Sequence, residues 1–286
     1  MFDKDFWEPY TEEEMANYEK NFLEGSLNPI NILRAITYKR KFKKEHPFYF
    51  DPEGLLIFCG PQGSGKTLSL VNYVTKVVEH YDYCIIVSNV EFTYFPFTHS
   101  YKVLDGKVIL TDLKTNEEYD YIDFMRARKE EEKPERVVIE YDGIDSLKYF
   151  ENDFEGVLYV IDEIQLEWNS LESKNISIEE MIEFAQQRKQ RKHIVGTSQI
   201  YGRIAKPLRE QIKNVVLCKC FLGFIQWNNL IDGFATVEKD GQLETESVGR
   251  YFWFHTPKLY NSYNTYTKMK RYKKEWNGHK RSDIIQ

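Results

Sequence analysis

The sequence predicts an α/β fold: a mainly parallel sheet covered by helices on both faces, followed by a β-rich C-terminal extension. Two observations lead there. Short, near-continuous apolar runs alternate with segments of helical character, and strands buried on both faces read as such runs rather than as in–out alternation. From Val215 onward the helical character fades, and apolar or aromatic runs are joined by a hairpin signal.

Taken in order, LLIFC at 55–59 is a short buried strand. Residues 65–80 are helical, and YCIIVS at 83–88 is a second buried strand. An irregular aromatic stretch, EFTYFPFTHSY, follows. YKVLDGKVIL is a hairpin, because Asp105-Gly106 suits a type I′ turn between alternating apolar positions. Residues 123–136 are highly charged, as helix or exposed loop. VVIEY at 137–141 and VLYVID at 157–162 are strands. A helix over 177–192 starts on a capping box, Ser177 with Glu180. Its apolar stripe, Ile178, Met181, Ile182 and Ala185, is expected to face the core. HIVGTS at 193–198 is the next strand. VVLCKCFLGFIQW, a hairpin at Asp240-Gly241 and YFWFH make up the extension. The expected division is a charged helical arm over 1–50, a core over 51–215, and the extension with its basic tail over 216–286.

The chain has 286 residues, enough for a sizeable core without disulfide or metal staples. Aromatics at 15% exclude wholesale disorder. A net charge of -6 argues against coating nucleic acid by overall charge, though not against a local basic site. The arm holds one basic run, Lys39 to Lys44, and the tail holds another, Lys268, Lys270, Arg271, Lys273 and Lys274, interleaved with Tyr266 and Tyr272. Cys59, Cys84, Cys218 and Cys220 lack zinc spacing and read as buried reduced thiols. The N-terminus, MFDKDFWEPY, is acidic and unlike a signal peptide. The longest apolar stretch is too short to span a bilayer and is broken by Lys219, so a soluble cytoplasmic protein is expected.

Residues 60–67, GPQGSGKT, match G-x-x-x-x-G-K-[ST] in full, after a strand and before a helix. The expected nucleotide contacts are Gly60, Pro61, Gln62, Gly63, Ser64, Gly65, Lys66, Thr67 and Leu68. Gly60, Gly63 and Gly65 let the backbone curl so that its N–H groups face phosphate oxygens, with the helix N-terminus adding partial positive charge. Lys66 neutralises the β- and γ-phosphates, and Thr67 offers a hydroxyl to Mg²⁺. VLYVIDE delivers Asp162 and Glu163 to the end of a buried strand, where ligands sit in doubly wound sheets. Asp162 is the expected Mg²⁺ partner and Glu163 the base for the attacking water. That glutamate favours hydrolysis over phosphorylation of an acceptor, because a kinase substrate brings its own nucleophile. Gln199 ends the strand HIVGTS, placed to bond a γ-phosphate or the water. Arg188 and Arg191 near the preceding helix end are candidate arginine fingers toward a neighbour's nucleotide, Arg191 on the helix's far, exposed side, with Arg209 a third candidate.

The order GPQGSGKT, VIDEIQ, QQRKQRKH, GTSQ and PLR resembles the FtsK/HerA superfamily of ring-forming, DNA-pumping ATPases. Within it the chain is similar to viral genome-packaging ATPases and to the zonula occludens toxin-like (Zot-like) assembly ATPases of filamentous phages. The likeness covers about residues 50–215. It implies a RecA-like (ASCE) P-loop NTPase core, ATP and Mg²⁺, Gln199 as sensor, and an arginine finger from the adjacent subunit. It also implies a homomeric ring around DNA gripped without regard to sequence. Zot-like proteins usually carry a membrane span after the ATPase domain, and no such run occurs in this sequence. The expectation therefore leans to a translocase that packages a viral genome, docked on a capsid or portal protein in the host cytoplasm without membrane insertion. A Zot-like assembly or secretion ATPase, a nucleotide-dependent switch or scaffold with slow hydrolysis, and a nucleotide or sugar kinase stay open.

Overall fold

The computed structural model describes residues 37–264, apart from 39, 43, 47–48, 52–53, 132–134, 171–177, 188, 235–236, 240–241 and 245. Ser177 of the capping box, Arg188, the Asp240-Gly241 turn, the basic tail and most of the arm therefore lie outside the described residues. The chain divides into two compact units, Met1–Pro47 and Phe48–Gln286. In the first, the described residues between 37 and 45 are helical. Tyr38 and Phe42 stack one turn apart at 6.4 Å, and Arg40, Lys41 and Lys44 are exposed.

The second unit is built on one sheet of eleven strands among the described residues. Its centre is parallel: β1 (Leu55–Cys59), β2 (Ile85–Ser88), β6 (Val138–Glu140), β7 (Val157–Ile161), β8 (Lys192–Ser198) and β9 (Ile212–Phe221). Their spatial order is β9-β1-β8-β7-β2-β6. β3 (His99–Leu104) joins β6 in parallel, then continues antiparallel into β4 (Lys107–Asp112) and β5 (Glu118–Asp120). At the other end β10 (Ile225–Asp232) and β13 (Ser247–Phe254) add antiparallel to β9. A separate small hairpin pairs β11 (Val237–Lys239) with β12 (Gln242–Glu244). Helices α1 (Lys66–His80), α2 (Tyr121–Glu130), α3 (Ser146–Tyr149), α4 (Ile178–Gln186), α5 (Lys206–Arg209) and α6 (Pro257–Tyr260) complete the order.

The strand period of two explains why the central strands are apolar throughout. Leu56 and Phe58 face one layer with Leu70, Val71 and Val74 of α1, while Leu55, Ile57 and Cys59 face the opposite layer with Tyr159, Trp168 and Leu208. Both faces are covered. The thiols sit in these layers: burial pushes Cys84 and Cys218 up to about 12 and Cys59 higher still. These three stay protonated, as expected of inert core cysteines; Cys220, expected buried as well, is only half-buried. The predicted Asp105-Gly106 turn is present, with φ of 50° and 77° at its two positions as type I′ requires. Asp120 caps α2 by accepting from the Ile122 N–H at 2.9 Å.

Three expectations are corrected. The helix expected over 177–192 ends at Gln186, and Lys192 already belongs to β8. Three residues of its stripe do not face the core: Met181 and Ile182 are 43% and 47% exposed and Ala185 is exposed too, while Phe184 is buried instead, edge-on to Trp168 at 4.9 Å. An aromatic ring buries more apolar area than Met or Ala, and the Lys192 ammonium donating to Glu183 at 3.1 Å holds the adjoining side inward. The division at 215/216 falls inside β9, which pairs with β1 on one edge and β10 on the other. The β-rich extension is thus part of the core sheet. Among the described residues no helix is long and apolar enough to cross a membrane.

Candidate functional site

The phosphate loop leaves the C-terminal end of β1 and enters α1. Gly63 and Gly65 hold φ of 78° and 77°, a left-handed conformation that only glycine adopts without strain. Gly60 is needed for a different reason: a Cβ there would lie 2.4 Å from Ser64 Oγ and 2.8 Å from the Cys218 carbonyl oxygen. The Gly60 N–H is tied to the Ser198 carbonyl at 3.2 Å. The N–H groups of Gly65, Lys66 and Thr67 donate to no acceptor among the described residues, as the first turn of any helix must leave them. The buried Ser64 hydroxyl is likewise without a partner among the described residues. Three N–H groups at the helix start and the Lys66 ammonium supply donors, which is the chemistry of an anion cradle.

Opposite them, β7 is followed at once by Asp162 and Glu163, and β8 stands between β1 and β7. This is the RecA-like order. Thr67 Oγ1 donates to Asp162 Oδ1 at 3.2 Å. Two oxygens bound to one Mg²⁺ at right angles lie roughly 3.0 Å apart, so this pair has the spacing of an octahedral edge. Among the described residues no cluster of His, Cys, Asp or Glu could cage a metal by itself. Glu163 is a non-glycine residue at φ 58°, ψ 50°, a conformation costing about 1–2 kcal/mol. It brings the carboxylate to 3.7 Å from Lys66 Nζ, with both side chains nearly buried. The other carboxylate oxygen accepts from Gln165 Nε2.

Residues that sequence reasoning missed hold this pair in place. The Asp162 N–H donates to Asn89 Oδ1 at 2.8 Å, and Asn89 Nδ2 donates to the Asp162 carbonyl at 3.0 Å. Thr197 Oγ1 accepts the Glu163 N–H at 2.8 Å and donates to the Asp162 carboxylate. The available signal was a polar residue just after or inside an apolar run, IIVSN and HIVGTS. Asn89→Ala should remove its two bonds to the Asp162 main chain and cost about 1–3 kcal/mol. The expected readout is a lower urea midpoint with an unchanged m-value, and an unaltered midpoint would overturn the assignment.

The loop itself is propped from the C-terminal hairpin. Gln226 on β10 is fully buried and donates to the Ser64 carbonyl at 3.0 Å. It also donates to Asn228 Oδ1 at 2.9 Å, and His255 Nε2 meets its Oε1 at 3.1 Å. Asn228 bonds Ser69 of α1 at 3.2 Å. The alternate polar positions in FIQWNN were the sequence trace of this face. Residues 262–264 run beside the segment after β2, with the Thr93 N–H on the Ser262 carbonyl at 2.8 Å. Burial first, then the Asp162 carboxylate, pushes the Tyr263 phenol up, so the chain returns close to the acidic end.

Of the expected residues, the structure brings Gly60 to Thr67, Asp162 and Glu163 together. Gln199 follows β8 directly, exposed at the same sheet edge between the loop and the acidic pair. Leu68 points into the interior at 4% exposure. Arg191 is not on the helix's far side, as expected, but in the turn before β8 at φ 56°, its guanidinium 4.0 Å from the Tyr49 ring centre. This is the N-terminal edge of the sheet, roughly 20 Å along the strand from the loop. Arg209 lies 5.7 Å from the Tyr201 ring.

Comparison with known proteins agrees with this geometry at the level of the family. The profile described as zonular occludens toxin (Zot) matches residues 54–270. No curated protein matches the chain. Among solved structures, the N-terminal domain of zonular occludens toxin from Neisseria meningitidis aligns at 15% identity and TM-score 0.45, covering 74% of this chain and 98% of that one. The genome packaging NTPase B204 from Sulfolobus turreted icosahedral virus 2, in complex with ATP-gammaS, aligns at 13% identity and TM-score 0.40, covering 58% and 74%. The flagellar accessory protein FlaH from Methanocaldococcus jannaschii aligns at 11% and TM-score 0.35, covering 71% and 89%. Likenesses this distant carry no weight for function.

Proposed function

The chain belongs to the zonular occludens toxin (Zot) family, and on that premise we propose that it is an ATP-hydrolysing motor that moves DNA during virus assembly. The observation that carries this reading is the meeting of Lys66, Thr67, Asp162 and Glu163 at one sheet edge. The loop N–H groups and Lys66 grip the β- and γ-phosphates. Thr67 and Asp162 would hold Mg²⁺, which when bound would neutralise charge on the phosphates. Glu163 lies within reach of the lysine that grips the γ-phosphate, and therefore within reach of a water aligned on it, from which it takes the proton. Gln199 orients that water. A carboxylate base of the enzyme's own supports hydrolysis over a kinase or a slow switch.

The ring is homomeric and head-to-tail. Arg191 of the adjacent subunit reaches the nucleotide when the N-terminal sheet edge of one subunit faces the loop edge of the next; Arg188 stays the other candidate finger. Mixing Arg191→Ala subunits with Lys66→Ala subunits restores turnover if the finger acts across the boundary, and restores none if it does not.

Packaging into a capsid and Zot-like assembly or secretion share this chemistry; family membership favours the second. The deciding experiment is ATP turnover with single-stranded and double-stranded DNA over a salt series. Stimulation that falls as salt rises is expected, since contacts to phosphates release counterions. Absence of stimulation by any DNA overturns the motor.

A further inference from the structure

The outer sheet face of β9, β10 and β13 combines aromatic rings with cations. The pairing register sets its rows. Lys219, Trp227 and Phe252 lie directly across from one another on the three strands. Phe221 and Phe254 lie in the next row, and Arg250 in the row on the other side. Phe221, Trp227, Phe252 and Phe254 are 41%, 40%, 61% and 56% exposed, and Lys219 and Arg250 are exposed as well. Trp227 and Phe252 lie nearly parallel, 11° between planes and 6.4 Å apart. Lys219 Nζ sits 4.9 Å from the Phe221 ring centre. No carboxylate occupies any position of these rows, in a chain whose net charge is -6.

We propose that this face is a binding platform for single-stranded nucleic acid. Four exposed rings on three antiparallel strands offer stacking surfaces for unpaired bases, and the two cations complement the phosphates between them. A duplex hides its base faces within the stack and cannot use the rings. A second copy of this chain docked two-fold on the same face would bring the cations of both copies together with no carboxylate in these rows to pair them, which electrostatics opposes. β10 links the platform to the nucleotide loop: Trp227 points outward, and its neighbour Gln226 points to the other face, bonded to the Ser64 carbonyl. A strand held on the platform thereby pulls on the strand that props the loop. The proposal rests on the DNA-motor reading for its biological meaning, but the binding can be measured alone.

The test is titration of the full chain with fluorescent oligo(dT) and with a duplex hairpin, for wild type, Phe252→Ala, Trp227→Ala and the Lys219→Gln/Arg250→Gln pair. Each ring removed should weaken oligo(dT) binding about 5- to 150-fold and leave duplex binding unchanged. The cation pair should reduce the log–log salt slope by about 1.4. Basal ATP turnover should match wild type in every variant, which shows that they fold. Three results overturn the platform: no oligo(dT) binding by the wild type, wild-type oligo(dT) affinity in Phe252→Ala, or equal weakening for duplex and single strand. Loss of self-association, or of binding to phosphatidylglycerol vesicles, with oligo(dT) affinity unchanged assigns the face to another occupant. If DNA stimulates turnover in wild type and Phe252→Ala alike, the motor stands and the platform falls. If no DNA stimulates turnover but the variants bind oligo(dT) weakly, the platform stands and the motor falls.

Discussion

Glu163→Gln should lower ATP turnover by about 10²- to 10⁴-fold, the range lost when a positioned general base is removed. Glutamine has the same length and the same tolerance for the left-handed backbone at this position, φ 58°, so the fold is expected to survive. It cannot take a proton from water. Nucleotide affinity should be equal or tighter, because Lys66, now 3.7 Å from the Glu163 carboxylate, loses a competitor for its charge. The measurement is single-turnover hydrolysis beside nucleotide affinity by calorimetry. Near wild-type turnover would show that another group activates the water. Loss of binding and turnover together would make Glu163 a structural partner of Lys66 and nothing more.

Gly65→Ala should cost about 2–5 kcal/mol of stability and abolish nucleotide binding, for two separable reasons. At φ 77° an alanine is strained, and its Cβ would lie 2.0 Å from Gln226 Oε1. The tip of a glutamine is normally free to swing away. This one is fully buried and held by Ser64, Asn228 and His255. The double variant Gly65→Ala/Gln226→Ala should therefore recover the steric part and keep the backbone part, giving a favourable coupling between the two sites. Chemical denaturation of the four proteins measures it. If the two costs simply add, Gln226 does not prop the loop.

The parts of the site legible in the sequence are those whose geometry is local. A strand, three glycines and a helix start define the phosphate loop within eight consecutive positions, and an apolar run ending in Asp162-Glu163 announces its own strand terminus. The same locality made the Asp105-Gly106 hairpin readable, since two backbone angles decide it. The helix stripe failed for the opposite reason. Period alone marked Met181, Ile182 and Ala185, but Trp168 and Lys192, from other elements, selected Phe184 and Glu183 as the inward side.

By itself, then, the sequence determined the α/β class, the anion cradle and the acidic pair, because neighbouring residues form each of them. Only the tertiary structure decided that β8 carries Thr197 between them, that Asn89 fastens Asp162 from 73 positions away, and that Gln226 supports Ser64 from 162 positions away. It also turned the expected C-terminal extension into the edge of the core sheet. Sheet pairing is a contact between strands distant in the chain, so neither strand alone tells which strand will be its neighbour.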